Sequence, residues 1–323
     1  MQEGLLIIKS RDFYGVETDD GRLVVCTPSS RLRKQFDVTT ADPSSRARRV
    51  QSVKEVKGVD PLAVGDRVRF LETGEGSGVI REVLPRTTKL SRRTAGKRPL
   101  EQVFAANIEA VITVHALAQP EPNWNRIDRY LASAEAADLP VALVMTKADL
   151  GPFPEEVEQE LMLYASLGYP VFRTSVVDGS GMEALRDFIG QRRVAMAGSS
   201  GVGKTSLVKS LVPARTDRVR AVSERTGKGV HTTRHVEMVT LPGGGRLVDT
   251  PGMREFALWK IQPDATAELF PELRPLQGHC RFGVQCGHLS EPGCAFKTAV
   301  ADGRVSRRRF ENFLKIREEF RMF

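Results

Sequence analysis

The stretch Gly198-Ser199-Ser200-Gly201-Val202-Gly203-Lys204-Thr205 decides how the rest of this chain is read. It follows the apolar run Val194 to Ala197 and leads into Thr205-Ser206-Leu207, so a strand, a glycine-rich loop and a helix start succeed one another. In that context the pattern G-x-x-x-x-G-K-[ST] is a phosphate-binding loop. Its glycines let main-chain N–H groups curl around phosphate oxygens, and the helix N-terminus adds positive potential. Lys204 is positioned to reach the β- and γ-phosphates, and Thr205 offers Mg²⁺ a hydroxyl ligand. Residues Gly198 to Ser206 are read as a nucleoside-triphosphate site.

Two further segments say which nucleotide. Asp249-Thr250-Pro251-Gly252 follows the apolar run Arg246-Leu247-Val248. An Asp there can hold Mg²⁺ directly or through water, and the Gly252 N–H can sense a γ-phosphate, which makes the segment after Gly252 a switch. Thr146-Lys147-Ala148-Asp149 follows the strand-like run Pro140 to Met145 and matches [NT]-K-x-D. The Asp149 carboxylate can accept hydrogen bonds from guanine N1–H and N2–H₂, a pair that adenine lacks, while the Lys147 stem covers the base. Thr174-Ser175-Val176, after the run Val171 to Arg173, is the candidate loop toward guanine O6, with Ser175 as its residue. Base-reading segments thus precede the phosphate loop and the switches come last. Such an order assembles one site if the domain is circularly permuted, because the termini of compact domains often lie close together.

Around this core the chain changes character. Its 323 residues suggest two domains or slightly more. The 41% apolar and 27% charged content excludes a disordered tail or a fibre. No apolar run approaches the ~18 residues of a membrane-spanning helix, and Leu5 to Ile8 is too short for a signal-peptide core. Residues 1–83 carry five short strand-like runs with turn signals, which suits a closed β-barrel of OB type, an SH3-like barrel fitting nearly as well. Arg31 to Arg49 reads as a mobile basic loop, and 84–100 as a basic linker or nucleic-acid-facing arm. Residues 101–258 alternate strand and helix as an α/β domain, and 259–323 form a helical tail ending in the charged amphipathic run Arg304 to Arg321. The net charge of +8 and these three basic runs point to RNA phosphates.

Three of the four cysteines fall between 280 and 294, in the pattern Cys280-x₅-Cys286-x-His288-x₅-Cys294. Three thiolates and one imidazole are a ligand set for closed, structural Zn²⁺. His279 is a substitute for the fourth ligand. Cys26 stands alone and reads as a small buried hydrophobe.

With these motifs together, the chain resembles the circularly permuted ribosome small-subunit-dependent GTPase A family. The likeness takes in the barrel, Gln102 to Asn107, the 198–207 loop, Asp249 to Gly252 and the Cys/His cluster. It implies a cytoplasmic GTPase acting in late maturation of the small ribosomal subunit, binding that subunit and its rRNA with GTP and leaving after hydrolysis to GDP. It also implies that His231-Thr232-Thr233 is the first switch. Thr232 or Thr233 then completes the Mg²⁺ shell, and His231 positions the attacking water, because Met253 stands where many GTPases place Gln and cannot do so. His231 and Lys204 are the expected catalytic residues. Here five residues separate Cys280 from Cys286, where the family usually has four. A monomer without membrane association is expected. The rival readings are a non-catalytic, nucleotide-regulated RNA-binding module and a P-loop ATPase or kinase.

Overall fold

In a computed structural model of the chain, residues 1–10, 13–32, 61–74, 76–93, 101–212, 236–249 and 261–321 are described. Two compact units emerge. One comprises Met1–Glu109, Gln191–Ala195 and Val212–Gly252; the other comprises Ala110–Gly190, Met196–Leu211 and Met253–Phe323.

The first unit begins with β1 (Gln2–Lys9), β2 (Tyr14–Thr18), β3 (Leu23–Pro28), β4 (Arg67–Gly74) and β5 (Ser77–Val83). β1 pairs with β2, β2 with β3, β3 with β5 in parallel, β5 with β4, and β4 back with β1. That closed 1-2-3-5-4-1 ring is the OB-type barrel, and closure removes the exposed strand edges. Leu6, Ile8, Val16, Val24, Val68, Phe70 and Ile80 fill it without measurable exposure. Cys26 is equally buried there, and burial pushes its thiol up to about 12.

β6 (Lys89–Arg93) and β7 (Glu101–Ala106) form an antiparallel pair, so the stretch read as linker contains a strand. Its leading cation, Arg86, is held in place: the guanidinium donates to both oxygens of fully buried Asp66, at 2.6 and 2.7 Å, and to Pro61 O at 2.6 Å. Residues 33–49 of the basic run lie outside the described residues.

The second unit is built on parallel strands β8 (Ala110–Ala116), β9 (Val141–Thr146) and β10 (Val171–Arg173), with β11 (Arg193–Gly198) ending beside β8. β8 and β9 are buried along their whole lengths, as expected of strands covered on both faces. Helices α1 (Trp124–Glu135), α2 (Glu155–Ser166), α3 (Met182–Ile189) and α4 (Lys204–Leu211) alternate with them. α1 starts where Asn123 Oδ1 accepts the Arg126 N–H at 2.9 Å, and its buried Ile127, Leu131 and Ala134 recur at helical spacing. β12 (Val236–Thr240) and β13 (Arg246–Asp249) belong to the first unit, where β12 pairs antiparallel with β13 and with β1.

After three 3₁₀ turns, α5 (Ala295–Ala301) and α6 (Arg307–Arg321) complete the second unit. Leu269, Phe270, Leu273, Phe296, Phe310, Phe313 and Ile316 share one apolar cluster with Ala132 of α1. Beside it lies a buried ionic network. Asp128 Oδ1 accepts from Arg309 Nη1 at 2.5 Å and Tyr164 Oη at 2.6 Å, and Oδ2 accepts from Arg308 Nη1 at 2.7 Å and Asn312 Nδ2 at 2.9 Å. Glu160 takes Arg308, and Glu272 takes Arg309. Three cations of the run Arg304 to Arg321 therefore face inward, Arg317 being the third through Gly287 O and Asp264. As a result, the run offers a polyanion fewer charges than its composition suggests.

Candidate functional site

The phosphate loop sits where a strand gives way to a helix, and its first glycine is obligatory. Gly198 has φ +154°, and a Cβ there would lie 2.2 Å from Val114 O, inside any van der Waals contact. Lys204 opens α4 and folds back on the loop, its Nζ donating to Gly198 O at 2.8 Å and to Ser199 O at 2.5 Å. Thr205 and Ser206 are exposed on the first turn, while Val202, Leu207 and Val208 are buried and anchor loop and helix.

The segments expected from the sequence to read the base are linked to this loop. Thr146 Oγ1 donates to Val202 O at 2.5 Å, tying the end of β9 to the phosphate loop. A threonine thus makes the supporting contact at the position where Asn is usual, because the loop approaches closely enough for the shorter side chain. Lys147 adopts a left-handed φ of +61°, and its ammonium donates to Gln119 O. Asp149 is exposed on the 3₁₀ turn Ala148–Leu150. Ala148 N donates to Thr174 O at 3.1 Å, and Thr174 N to Met145 O at 2.7 Å, so the 174–176 loop is stitched to the Thr146–Asp149 segment. Ser175, however, is only 1% exposed. Its N–H donates to Ser180 O, and its hydroxyl accepts from Val177 N. The next residue, Val176, is exposed.

Two residues that no motif marks stand beside the loop. Arg126 on α1 donates from Nη1 to Ser199 Oγ at 2.8 Å. His115 on β8 is buried against Tyr130, and its Nε2 has no hydrogen-bond partner among the described residues. Burial, reinforced by the Arg126 and Lys204 charges, pushes His115 down to about 3, so the ring is neutral. Asp249 ends β13, in register with Glu237 in the first unit. His231, Thr232, Thr233 and Gly252 lie outside the described residues.

In the C-terminal segment the side chains of Cys280, Cys286, His288 and Cys294 bring their ligand atoms within 4.8 Å of one another, all four buried. Cys280 Sγ is 3.9 Å from Cys294 Sγ, and His288 Nδ1 is 3.6 Å and 3.3 Å from those two sulfurs. A tetrahedral ion with bonds of ~2.3 Å to sulfur and ~2.0 Å to nitrogen sets ligand separations of about 3.8 and 3.5 Å. A disulfide, by contrast, needs about 2.05 Å. The donor set therefore fits a metal ion. Ala295 N donates to Cys280 Sγ at 3.3 Å, and the His288 ring stacks on Phe296 at 4.0 Å, fixing both ligands from behind. His279 is exposed and stands outside the cluster, so the one-residue longer first loop leaves His288 in the ligand set.

A strand, phosphate loop and helix whose base-reading segments come earlier in the chain, combined with a five-stranded barrel and a Cys₃His cluster, define a circularly permuted GTPase. The crystal structure of YjeQ from Thermotoga maritima superposes with a TM-score of 0.69 at 28% identity, covering 99% of this chain and 98% of that one. The crystal structure of YloQ, described as a circularly permuted GTPase, does so with a TM-score of 0.63 at 26% identity, over 99% and 95% of the two chains. The family model for RsgA GTPase matches residues 83–259. A small ribosomal subunit biogenesis GTPase RsgA from Gemmatimonas aurantiaca is 44% identical over 268 residues, 82% of this chain and 86% of the relative. Its counterpart from Bacteroides fragilis is 33% identical over 319 residues, 98% and 96% of the two chains. This chain belongs to the RsgA GTPase family.

Proposed function

We propose that this protein hydrolyses GTP to GDP and phosphate in the maturation of the small ribosomal subunit, binding the subunit in the GTP state and leaving after hydrolysis. The observation that carries the nucleotide half of this reading is the Thr146–Val202 hydrogen bond, which couples a guanine-reading segment to a phosphate loop. The subunit half rests on the family and on the names its members carry.

In the reaction a water oxygen bonds to the γ-phosphorus as the bond to the β–γ bridging oxygen breaks. GDP leaves with the electron pair, and the water's proton passes to the released phosphate. Lys204 exchanges its two loop carbonyls for β- and γ-phosphate oxygens, and the loop N–H groups hold the same phosphates. Thr205 and Asp249 are the ligands assigned to Mg²⁺, which supplies further charge neutralisation. Asp149 reads guanine N1–H and N2–H₂, the main chain of the Thr174-Ser175-Val176 loop meets O6, and Lys147 covers the ring. His231 orients the water, with Thr232 or Thr233 completing the first switch. The ion at Cys280, Cys286, His288 and Cys294 is Zn²⁺, which closes the C-terminal segment without an open coordination position. No described helix is long and apolar enough to cross a membrane; a monomeric, cytoplasmic protein whose remaining basic surface faces rRNA completes the reading.

The test is GTP turnover with and without purified small ribosomal subunits. Alone the site should be slow, on the order of 10⁻⁴ to 10⁻² s⁻¹; subunits should accelerate it strongly, and Lys204→Ala should abolish it. GTP binding without turnover in either condition would make the protein a regulated binder, and equal use of ATP would make it an ATPase.

A further inference from the structure

We propose that Arg126 is a second cation for the terminal phosphate of GTP, supplied by the chain itself and acting beside Lys204. The inference deepens the reading of the same site as a GTPase and rests on it.

Three observations converge. First, Arg126 and Lys204 meet at a single residue of the phosphate loop: the guanidinium holds Ser199 Oγ at 2.8 Å, and the ammonium holds Ser199 O at 2.5 Å. Whatever places Lys204 on the phosphates leaves Arg126 at the same end of the loop. Second, this guanidinium is committed to no acid, while several other arginines of the same unit are paired. Arg129 binds Glu319, Arg173 Glu158, Arg274 Glu135, and Arg308 and Arg309 bind Asp128. Arg126 has no carboxylate partner among the described residues, and its one described side-chain bond, to a neutral hydroxyl, uses one of five N–H donors. Third, its base is rigid. Arg126 sits in the first turn of α1, its N–H capped by Asn123, with Ile127 and Asp128 buried immediately after it. A cation held on a fixed helix needs little rearrangement to meet charge as it develops. The neutral His115 ring behind the loop is exposed to both positive charges, which agrees with their common location.

As the bond from γ-phosphorus to the bridging oxygen breaks, negative charge grows on the departing GDP. The forked guanidinium can release Ser199 and donate two N–H bonds across the β- and γ-phosphate oxygens. A lysine at 126 carries the charge but not the fork.

The test compares the native chain, Arg126→Ala and Arg126→Lys in GDP and GTP affinity, in binding of GDP with aluminium fluoride, and in single-turnover GTP hydrolysis. Arg126→Ala should keep GDP affinity within twofold, which also reports an intact loop. It should lose aluminium fluoride binding and hydrolyse GTP at least about tenfold more slowly. Arg126→Lys should recover part of the rate. Hydrolysis by Arg126→Ala within twofold of native overturns the proposal, and so does an equal loss of GDP and GTP affinity, which would make Arg126 a support for Ser199. If the native chain itself neither binds nor hydrolyses GTP, the GTPase reading fails first, and the two failures are distinguishable.

Discussion

Replacing Asp128 by Asn is the sharpest test of how the C-terminal segment is attached within its unit. Asp128 has no exposed side-chain surface, and Arg309 beneath it is 1% exposed. Each carboxylate oxygen accepts two hydrogen bonds, and all four partners are donors: Arg309 and Tyr164 on one side, Arg308 and Asn312 on the other. An asparagine must therefore aim its NH₂ at two donors whichever way it flips. The Tyr164 hydroxyl can rotate to accept, but the arginine cannot. Asn312 has no spare freedom either, because its amide also donates to Asn125 O at 3.0 Å. At least one charge-assisted bond is lost: in one flip the buried Arg309 keeps only Glu272, and in the other Arg308 loses its bond to residue 128 and keeps Glu160 and Tyr164. Breaking one side of such a pair costs about 3–5 kcal/mol. That raises the opening equilibrium of α6 against α1 and α2 by about 10² to 10³·⁵ at 1.4 kcal/mol per decade. Hydrogen exchange of α6 amides measures that opening directly, and proteolysis of the C-terminal segment measures it independently. Amides of the first-unit barrel, which share no partner with the network, should exchange at the native rate. If Asp128→Asn changes α6 protection by less than tenfold, the network is not what holds the segment.

Three other outcomes are expected. His115 takes up its proton near pH 3 in the folded chain and near 6.5 when unfolded, so below pH 6.5 the unfolded state binds more protons. Stability should then fall as pH drops from 6.5 toward 3, by up to about 1.4 kcal/mol per pH unit; His115→Phe should flatten that slope in denaturant titrations, and parallel slopes would refute it. Cys286→Ser removes a fully buried thiol of the Cys₃His cluster and, if that cluster holds the proposed zinc, should release it and loosen residues 279–301, because metal binding is coupled to folding; one equivalent of zinc retained by elemental analysis would contradict this. Asp149→Asn should weaken GTP by roughly 10- to 100-fold for each charged hydrogen bond lost and admit xanthosine triphosphate, and unchanged discrimination between GTP and ATP would remove Asp149 from base reading.

Much of this molecule is legible as local pattern. The strand before Gly198, the helix after it and the runs around β9, β10 and β11 all announce themselves, because each element's signal lies within a few residues of sequence. Spacing alone also groups Cys280, Cys286, His288 and Cys294. Less visible are β6 in a basic stretch, whose strand character depends on pairing with β7, and α2, whose charged first turn masks a weakly amphipathic helix. The turn that takes up the Ser175 N–H and hydroxyl is equally invisible in composition.

The chemistry on offer is written in the linear order of residues: a phosphate-loop motif, a carboxylate proposed to read guanine, a Cys₃His set that could hold a metal ion and the permuted succession in which they occur. Covalent spacing and side-chain type are enough for that, because each motif is short and closes on itself. Packing of the folded chain settles the rest: that Thr146 braces the loop, that Arg126 reaches Ser199, and that Arg308 and Arg309 of α6 turn inward to Asp128. Those contacts join residues 56, 73 and 180 or more positions apart. Which distant partner a polar side chain meets depends on how helices and strands pack, and a buried charge persists only where packing delivers its counter-ion.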